Sequence, residues 1–194
     1  MRLTEQEFRA MNSPLRWFIQ RNLELPVFRL LGLKDENQDI LEIGCGSGYG
    51  AVLLASLKPK SYVGVDLMPE MIELARQRVK LANAEFLAVD AADLSRFPDG
   101  SKDVVVIFGI LHHIPKWREI IKESHRVLRS GGKLFVEEPN RTAVKFWDLI
   151  FHWNHPEEGL FTWREFENHL LSTGFTIRRR MGIWLLRSYC VEKK

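Results

Sequence analysis

Ile40-Leu41-Glu42-Ile43-Gly44-Cys45-Gly46-Ser47-Gly48-Tyr49-Gly50 is the stretch that decides the fold. A short apolar strand runs into Gly-x-Gly-x-Gly, and a helical pattern over 49–57 follows. Glycine lets the backbone turn tightly and approach a ligand with no Cβ in the way. Ligands of open α/β sheets sit at the carboxyl ends of strands, where such a loop falls. Outward from it, strands and helices alternate. Residues 62–65 read as a strand ending at Asp66, and 69–81 as a helix with Pro69 in its first turn. A strand over 85–89 ends at Asp90. Residues 104–108 are continuously apolar, as expected of a strand buried on both faces. A helix over 117–128 closes at Ser130-Gly131-Gly132, and 133–137 is a fifth strand. Thr162-Trp163-Arg164-Glu165 is a capping box opening a helix that stops at Gly174. Residues 175–180 and 183–191 face each other across Met181-Gly182. Two residues cannot make a parallel crossover, so this pair is an antiparallel hairpin. The class is α/β: a doubly wound, mostly parallel sheet with an antiparallel hairpin at its C-terminal edge.

Composition sets the bounds. The 194 residues carry 28 Lys+Arg against 25 Asp+Glu, a formal charge of +3, with 45% hydrophobic and 27% charged residues. That is an ordinary globular balance, and one domain is the default. The charge is too small to indicate a nucleic-acid partner. Cys45 and Cys190 form neither a CxxC motif nor a disulfide framework, which favours a reducing cytoplasm. MRLTEQEF has no signal-peptide core, and no apolar run approaches the roughly 20 residues of a membrane span. Residues 1–33 read as amphipathic helix, broken by Pro14 and Pro26.

The ligand is less sharply marked. Gly46, Gly48 and Ala51 satisfy a dinucleotide fingerprint, and Asp66 stands at the distance of a ribose-binding acid. An NAD-dependent oxidoreductase is therefore one reading. Three acids point elsewhere. Glu42 would repel a pyrophosphate but suits a cation, Asp66 can accept both ribose hydroxyls, and Asp90 can accept from an adenine amine. Together they suit a positively charged adenosine without phosphates.

Four stretches in order resemble the class I S-adenosylmethionine-dependent methyltransferases of the small single-domain type. They are ILEIGCGSGYG, GVDLMPEMIELAR, VDAADLSRFPDGSKDVVVIFGILHHI and HRVLRSGGKLFVEEPN. The resemblance implies seven strands with the last antiparallel, and S-adenosylmethionine as cofactor with S-adenosylhomocysteine as product. It implies that Gly44, Cys45, Gly46 and Gly48 line the amino-acid portion, and that Asp66 binds ribose. Leu67 and Met68 would lie near the adenine, with Asp90 and Ala91 at its edge. Phe108 and Gly109 would present backbone. Relatives often carry Asn or another polar residue where Phe108 stands, so only a backbone role carries over. Residues 1–33 would form a helical lid, 38–140 the cofactor core, 141–163 a substrate-side segment and 164–194 the C-terminal helix and hairpin. The lid's outer face could instead meet a membrane surface or a second subunit.

Methyl transfer is a displacement at a sulfonium carbon, so positioning supplies much of the rate, up to about 7–11 kcal/mol. A base helps only where the acceptor loses a proton. His112, His113 and Glu138 are the candidates, since they follow the fourth and fifth strands. Trp147, Phe151 and Trp153 are the candidate wall for a small aromatic or apolar acceptor. His152-x-x-His155 would be half a metal site, but the sequence shows no matching Cys/His cluster, so no metal is expected. In Arg178-Arg179-Arg180 at least one side chain should be solvated. The leading expectation is methyl transfer from S-adenosylmethionine to such an acceptor. A non-catalytic cofactor-binding partner subunit is the rival from another class. Monomer and homodimer both stay open.

Overall fold

The computed structural model describes residues 8, 12–35 and 37–194. Of the expected N-terminal lid, residues 1–7 and 9–11 lie outside the described residues. The strands are β1 (Asp39–Ile43), β2 (Ser61–Asp66), β3 (Ala84–Ala88), β4 (Lys102–Phe108), β5 (Leu128–Pro139), β6 (Phe175–Gly182) and β7 (Leu186–Lys193). They form one sheet in the order β3-β2-β1-β4-β5-β7-β6. The pairs among β1 to β5 are parallel, and β7 runs antiparallel to both β5 and β6. This is the expected doubly wound sheet of seven strands. Its order reverses between β1 and β4, which opens a crevice at their carboxyl ends.

The helices are α1 (Pro14–Ile19), α2 (Leu25–Leu31), α3 (Tyr49–Leu54), α4 (Pro69–Arg78), α5 (Trp117–Val127), α6 (Arg141–Phe151) and α7 (Trp163–Ser172). Alternation along the strands sends side chains into two apolar layers. Leu41, Ile43, Val105 and Ile107 pack with Trp117, Ile120 and Ile121 of α5. Ile40, Val104, Val106 and Phe108 pack on the other face with Phe28 and Leu31 of α2. The α7 capping box is present, with Thr162 and Glu165 each capping the other's backbone N–H.

Three local expectations shift. Pro26 does not break the N-terminal helix. A π-helical turn, Gln20–Glu24, precedes it, and Leu25 N–H donates to the Gln20 carbonyl. The wider turn makes room for a ring that would collide with an ordinary helical carbonyl. The hairpin turn lies at 183–185 rather than at Met181-Gly182. Gly182 pairs with Arg187, and any side chain there would strike the Leu186 carbonyl, so the glycine serves close strand contact. The helix expected over 69–81 ends at Arg78, because Val79 turns extended and buries its side chain. Arg178, Arg179 and Arg180 are all exposed and blunt the β6 edge. Arg178 pairs with Glu192 and Arg180 with Glu167.

Trp117 is fully buried and meets the rings of Phe161 (4.8 Å), Phe166 (5.8 Å) and His169 (5.2 Å). Trp117→Ala should therefore cost about 3–5 kcal/mol in denaturant unfolding. A loss below about 1 kcal/mol would mean that the layer collapses to fill the void.

Candidate active site

A cleft opens at the carboxyl ends of β1, β2 and β4. Its floor is the glycine loop, where Gly44, Gly46 and Gly48 take positive φ values of 71, 50 and 86°. A Cβ at Gly44 would come within 2.8 Å of Ile110, whereas one at Gly46 would meet nothing within 4 Å among the described residues. Gly44 thus serves packing, and Gly46 keeps space open.

Asp66 fastens this loop to β2. Gly46 N–H donates to its Oδ2 (3.0 Å) and Met68 N–H to its Oδ1 (2.9 Å). Burial raises its carboxyl, and those two amides oppose the rise. Leu67 is exposed beside it, and Met68 lines the cleft. Asp90 and Ala91 form the next wall. Asp90 is exposed and holds its own turn, with Ala92 N–H donating to Oδ1 (2.9 Å).

Glu42 lies in the apolar layer under the loop and is almost fully buried. Burial pushes its carboxyl up to about 8, against a hydrogen bond from the Tyr62 hydroxyl (2.5 Å). Any side chain at position 50 would collide with that carboxylate, which is why glycine stands there. Cys45 is buried in the cleft wall, and burial raises its thiol well above the usual range. The Phe108 ring stacks on Phe28 at 5.1 Å, and Phe108 lines the cleft at the end of β4. Gly109 N–H donates to the Glu137 carbonyl (2.9 Å).

The N-terminal segment covers one side. Asn12, Arg16 and Gln20 line the cleft. Tyr49 donates its hydroxyl to the Asn12 carbonyl (3.1 Å), and Arg16 pairs with Glu24. Arg78 lies over the Tyr49 ring at 3.9 Å and reaches Ser47.

The three expected catalytic residues separate. His113 lines the cleft, whereas His112 and Glu138 do not. Glu138 does not face the mouth: it is fully buried and ties down the turn after β4. Ile110 N–H (2.9 Å) and Leu111 N–H (2.8 Å) donate to its Oε1, and His112 Nδ1 lies 2.8 Å from its Oε2. Burial pushes its carboxyl up to about 8. The expected aromatic wall is also displaced. Trp147, Phe151 and Trp153 stand outside the cleft lining. Phe151 is 52% exposed and stacks on Trp153 at 5.1 Å, and Trp153 meets His155 at 6.1 Å.

His155 is what sequence reasoning misplaced. The expectation that no Cys/His cluster would form fails, because His112, His113 and His155 converge in the buried interior. His152, the partner suggested by spacing, sits exposed with φ 54° and turns the chain away.

Glu42 gives a pH test. In the folded chain it keeps its proton up to about 8, whereas its ordinary value is 4.5. The folded state thus binds the extra proton between those values. Glu42's contribution to stability should be greatest below 4.5 and decline as pH rises toward about 8. Glu42→Gln should remove that part of the decline, a few kcal/mol at most, in unfolding titrations across the window. An identical slope in the variant would show that Glu42 ionises in both states alike.

The comparisons with known proteins fit this geometry. The family described as "Methyltransferase domain" matches residues 41–136. The fatty-acid O-methyltransferase of Mycolicibacterium smegmatis is 37% identical over 115 residues, 58% of this chain and 42% of that protein. The demethylmenaquinone methyltransferase of Listeria welshimeri is 26% identical over 147 residues, 73% of this chain and 61% of the relative. The chain thus spans less than two thirds of the length of these curated relatives. A solved S-adenosylmethionine-dependent methyltransferase from Methanosarcina mazei is 28% identical, with a TM-score of 0.69, over 87% of this chain and 97% of that one. The family match falls on the glycine loop and the strand-end acids, and it sets the NAD reading aside. With four motifs in order, the strand order and the family match in agreement, residues 41–136 form a methyltransferase domain of the class I S-adenosylmethionine-dependent type.

Proposed function

We propose that the chain transfers the methyl group of S-adenosylmethionine to a small apolar acceptor. The donor half rests on one observation: three acids, Glu42, Asp66 and Asp90, border a glycine-floored cleft with open space at Gly46. A cationic adenosine without phosphates fits that donor set. Asp66 would take the ribose hydroxyls, with Leu67 and Met68 beside the adenine and Asp90 and Ala91 at its edge. Backbone at Gly44, Cys45, Gly46, Gly48, Phe108 and Gly109 would hold the amino-acid portion, with Glu42 beneath. When bound, the cofactor supplies an electrophilic methyl on a sulfonium whose leaving group is already activated. The chain's task is then mainly orientation. Glu138 and His112 serve it by fixing the turn that carries His113 to the cleft.

The acceptor half rests on exposed apolar side chains at the same end of the sheet. Phe146, Leu149, Ile150 and Phe151 lie exposed on α6, which starts where β5 ends. Ile183 and Trp184 lie exposed in the hairpin turn, and Asn140 joins the two segments by donating Nδ2–H to the Trp184 carbonyl (2.7 Å). Fatty acids and demethylmenaquinone, the molecules in the names of two relatives, are apolar as well.

Two measurements separate the halves. In calorimetry Gly46→Val should abolish S-adenosylmethionine binding and cost about 1–2 kcal/mol of stability for a branched residue at positive φ. Asp66→Ala should weaken binding by about 1–3 kcal/mol. Unchanged affinity in Gly46→Val would make the loop a mere turn. For the acceptor, S-adenosylhomocysteine release should be faster with a long-chain carboxylate or a quinol than with short polar compounds bearing the same nucleophile. Phe151→Ala should raise the acceptor KM and leave cofactor affinity and melting temperature nearly unchanged, because the side chain is half exposed. Equal turnover of polar and apolar acceptors would defeat the acceptor reading and leave the donor reading standing.

A further inference from the structure

We propose that His112, His113 and His155 bind a divalent cation of the zinc class beside the cofactor cleft, with Glu138 and Asp148 orienting two of the rings. One nitrogen from each of these three buried residues lies within 4.8 Å of the others. The ring centroids are 4.2 Å (His112–His113), 4.5 Å (His113–His155) and 5.2 Å (His112–His155) apart. The first two follow β4, and the third follows α6, so tertiary folding builds the cluster.

Carboxylates aim two of the imidazoles. His112 Nδ1 is 2.8 Å from Glu138 Oε2, and His155 Nδ1 is 2.5 Å from Asp148 Oδ1. A carboxylate accepts the Nδ1 proton, which leaves the lone pair on Nε2. This is the outer arrangement typical of metal-bound histidine. The His155 side chain is completely buried, and its Nε2 has no hydrogen-bond partner among the described residues. A buried acceptor left in that state costs about 1–3 kcal/mol, which a bound cation would offset.

The donor chemistry selects the ion. Neutral imidazoles suit zinc and its neighbours, whereas magnesium and calcium prefer oxygen. Three protein ligands leave a fourth position open, the count of catalytic zinc sites rather than structural ones. His113 also lines the cleft, so the cluster borders it at that residue. Zinc–nitrogen bonds of about 2.0–2.1 Å require the rings to draw together. His155 lies in the irregular stretch after α6, which can follow them.

Binding is read without turnover, so this proposal stands or falls apart from methyl transfer. The chelator-treated chain is titrated with Co²⁺, followed by absorption, and with Zn²⁺, followed by calorimetry. We expect one Zn²⁺ per chain, no competition from Mg²⁺ and intense Co²⁺ bands of tetrahedral type. His155→Ala should abolish uptake. Asp148→Asn, which keeps the side chain's shape, should weaken it roughly 10–100-fold with an unchanged circular dichroism spectrum. His152→Ala should bind like the parent. No uptake by the parent chain overturns the proposal. So does uptake that survives both His155→Ala and Asp148→Asn, or that His152→Ala removes, since each places the ion elsewhere.

Discussion

The parallel strands end along one edge of the sheet, and the backbone amides of the turns beyond them must find acceptors there. Side-chain carboxylates supply much of that need. Asp66 receives the amides of Gly46 and Met68, which binds the glycine loop to the end of β2. Glu138 receives those of Ile110 and Leu111, which binds the turn after β4 to the end of β5. Asn140 does the same one step later, accepting from Ala143 N–H at the start of α6 (3.0 Å). The cleft walls are these turns, so the shape of the cleft follows from how the strand ends are satisfied. Asp66, one of the acids proposed to meet the cofactor, is thus also one that holds the cleft's backbone.

Glu42 follows a different logic. It accepts from a tyrosine hydroxyl rather than from a loop, and it sits where every other β1 side chain between 40 and 43 is apolar. Only a glycine at position 50 leaves room for it. A buried acid of this kind opposes folding unless it stays protonated or meets a cation. Local rules broken in this way tend to mark function.

Much of this was legible in the chain. The run from Ile40 to Gly50 announced strand, loop and helix, and the unbroken apolar run over 104–108 announced the sheet's centre. Strand-end acids could be read because strand ends can be read. What failed depended on distant partners. Pro26 looked like a break because its neighbours' wide turn leaves no mark in the local pattern. Glu138 follows a strand end, a position that points to the cleft mouth, but the turn after β4 folds over it. Spacing pairs His152 with His155 as half a metal site. The helix ends at Phe151, His152 adopts a left-handed conformation, and the two diverge. The convergence of His155 with His112 and His113 joins segments that no local spacing relates.

The π-helical turn at Gln20–Glu24 carries one residue more than an α-helical turn would, and that surplus acts as a phase adjuster. Arg16 and Gln20 before its close face the cleft, whereas Phe28 and Leu31 after it pack on the sheet. One residue rotates an α-helix by about 100°. Shortening the segment by one residue would leave Phe28 and Leu31 seated and swing Arg16 and Gln20 off the cleft. The length of this short stretch therefore couples two surfaces that could otherwise drift independently, one that serves packing and one that faces the ligand.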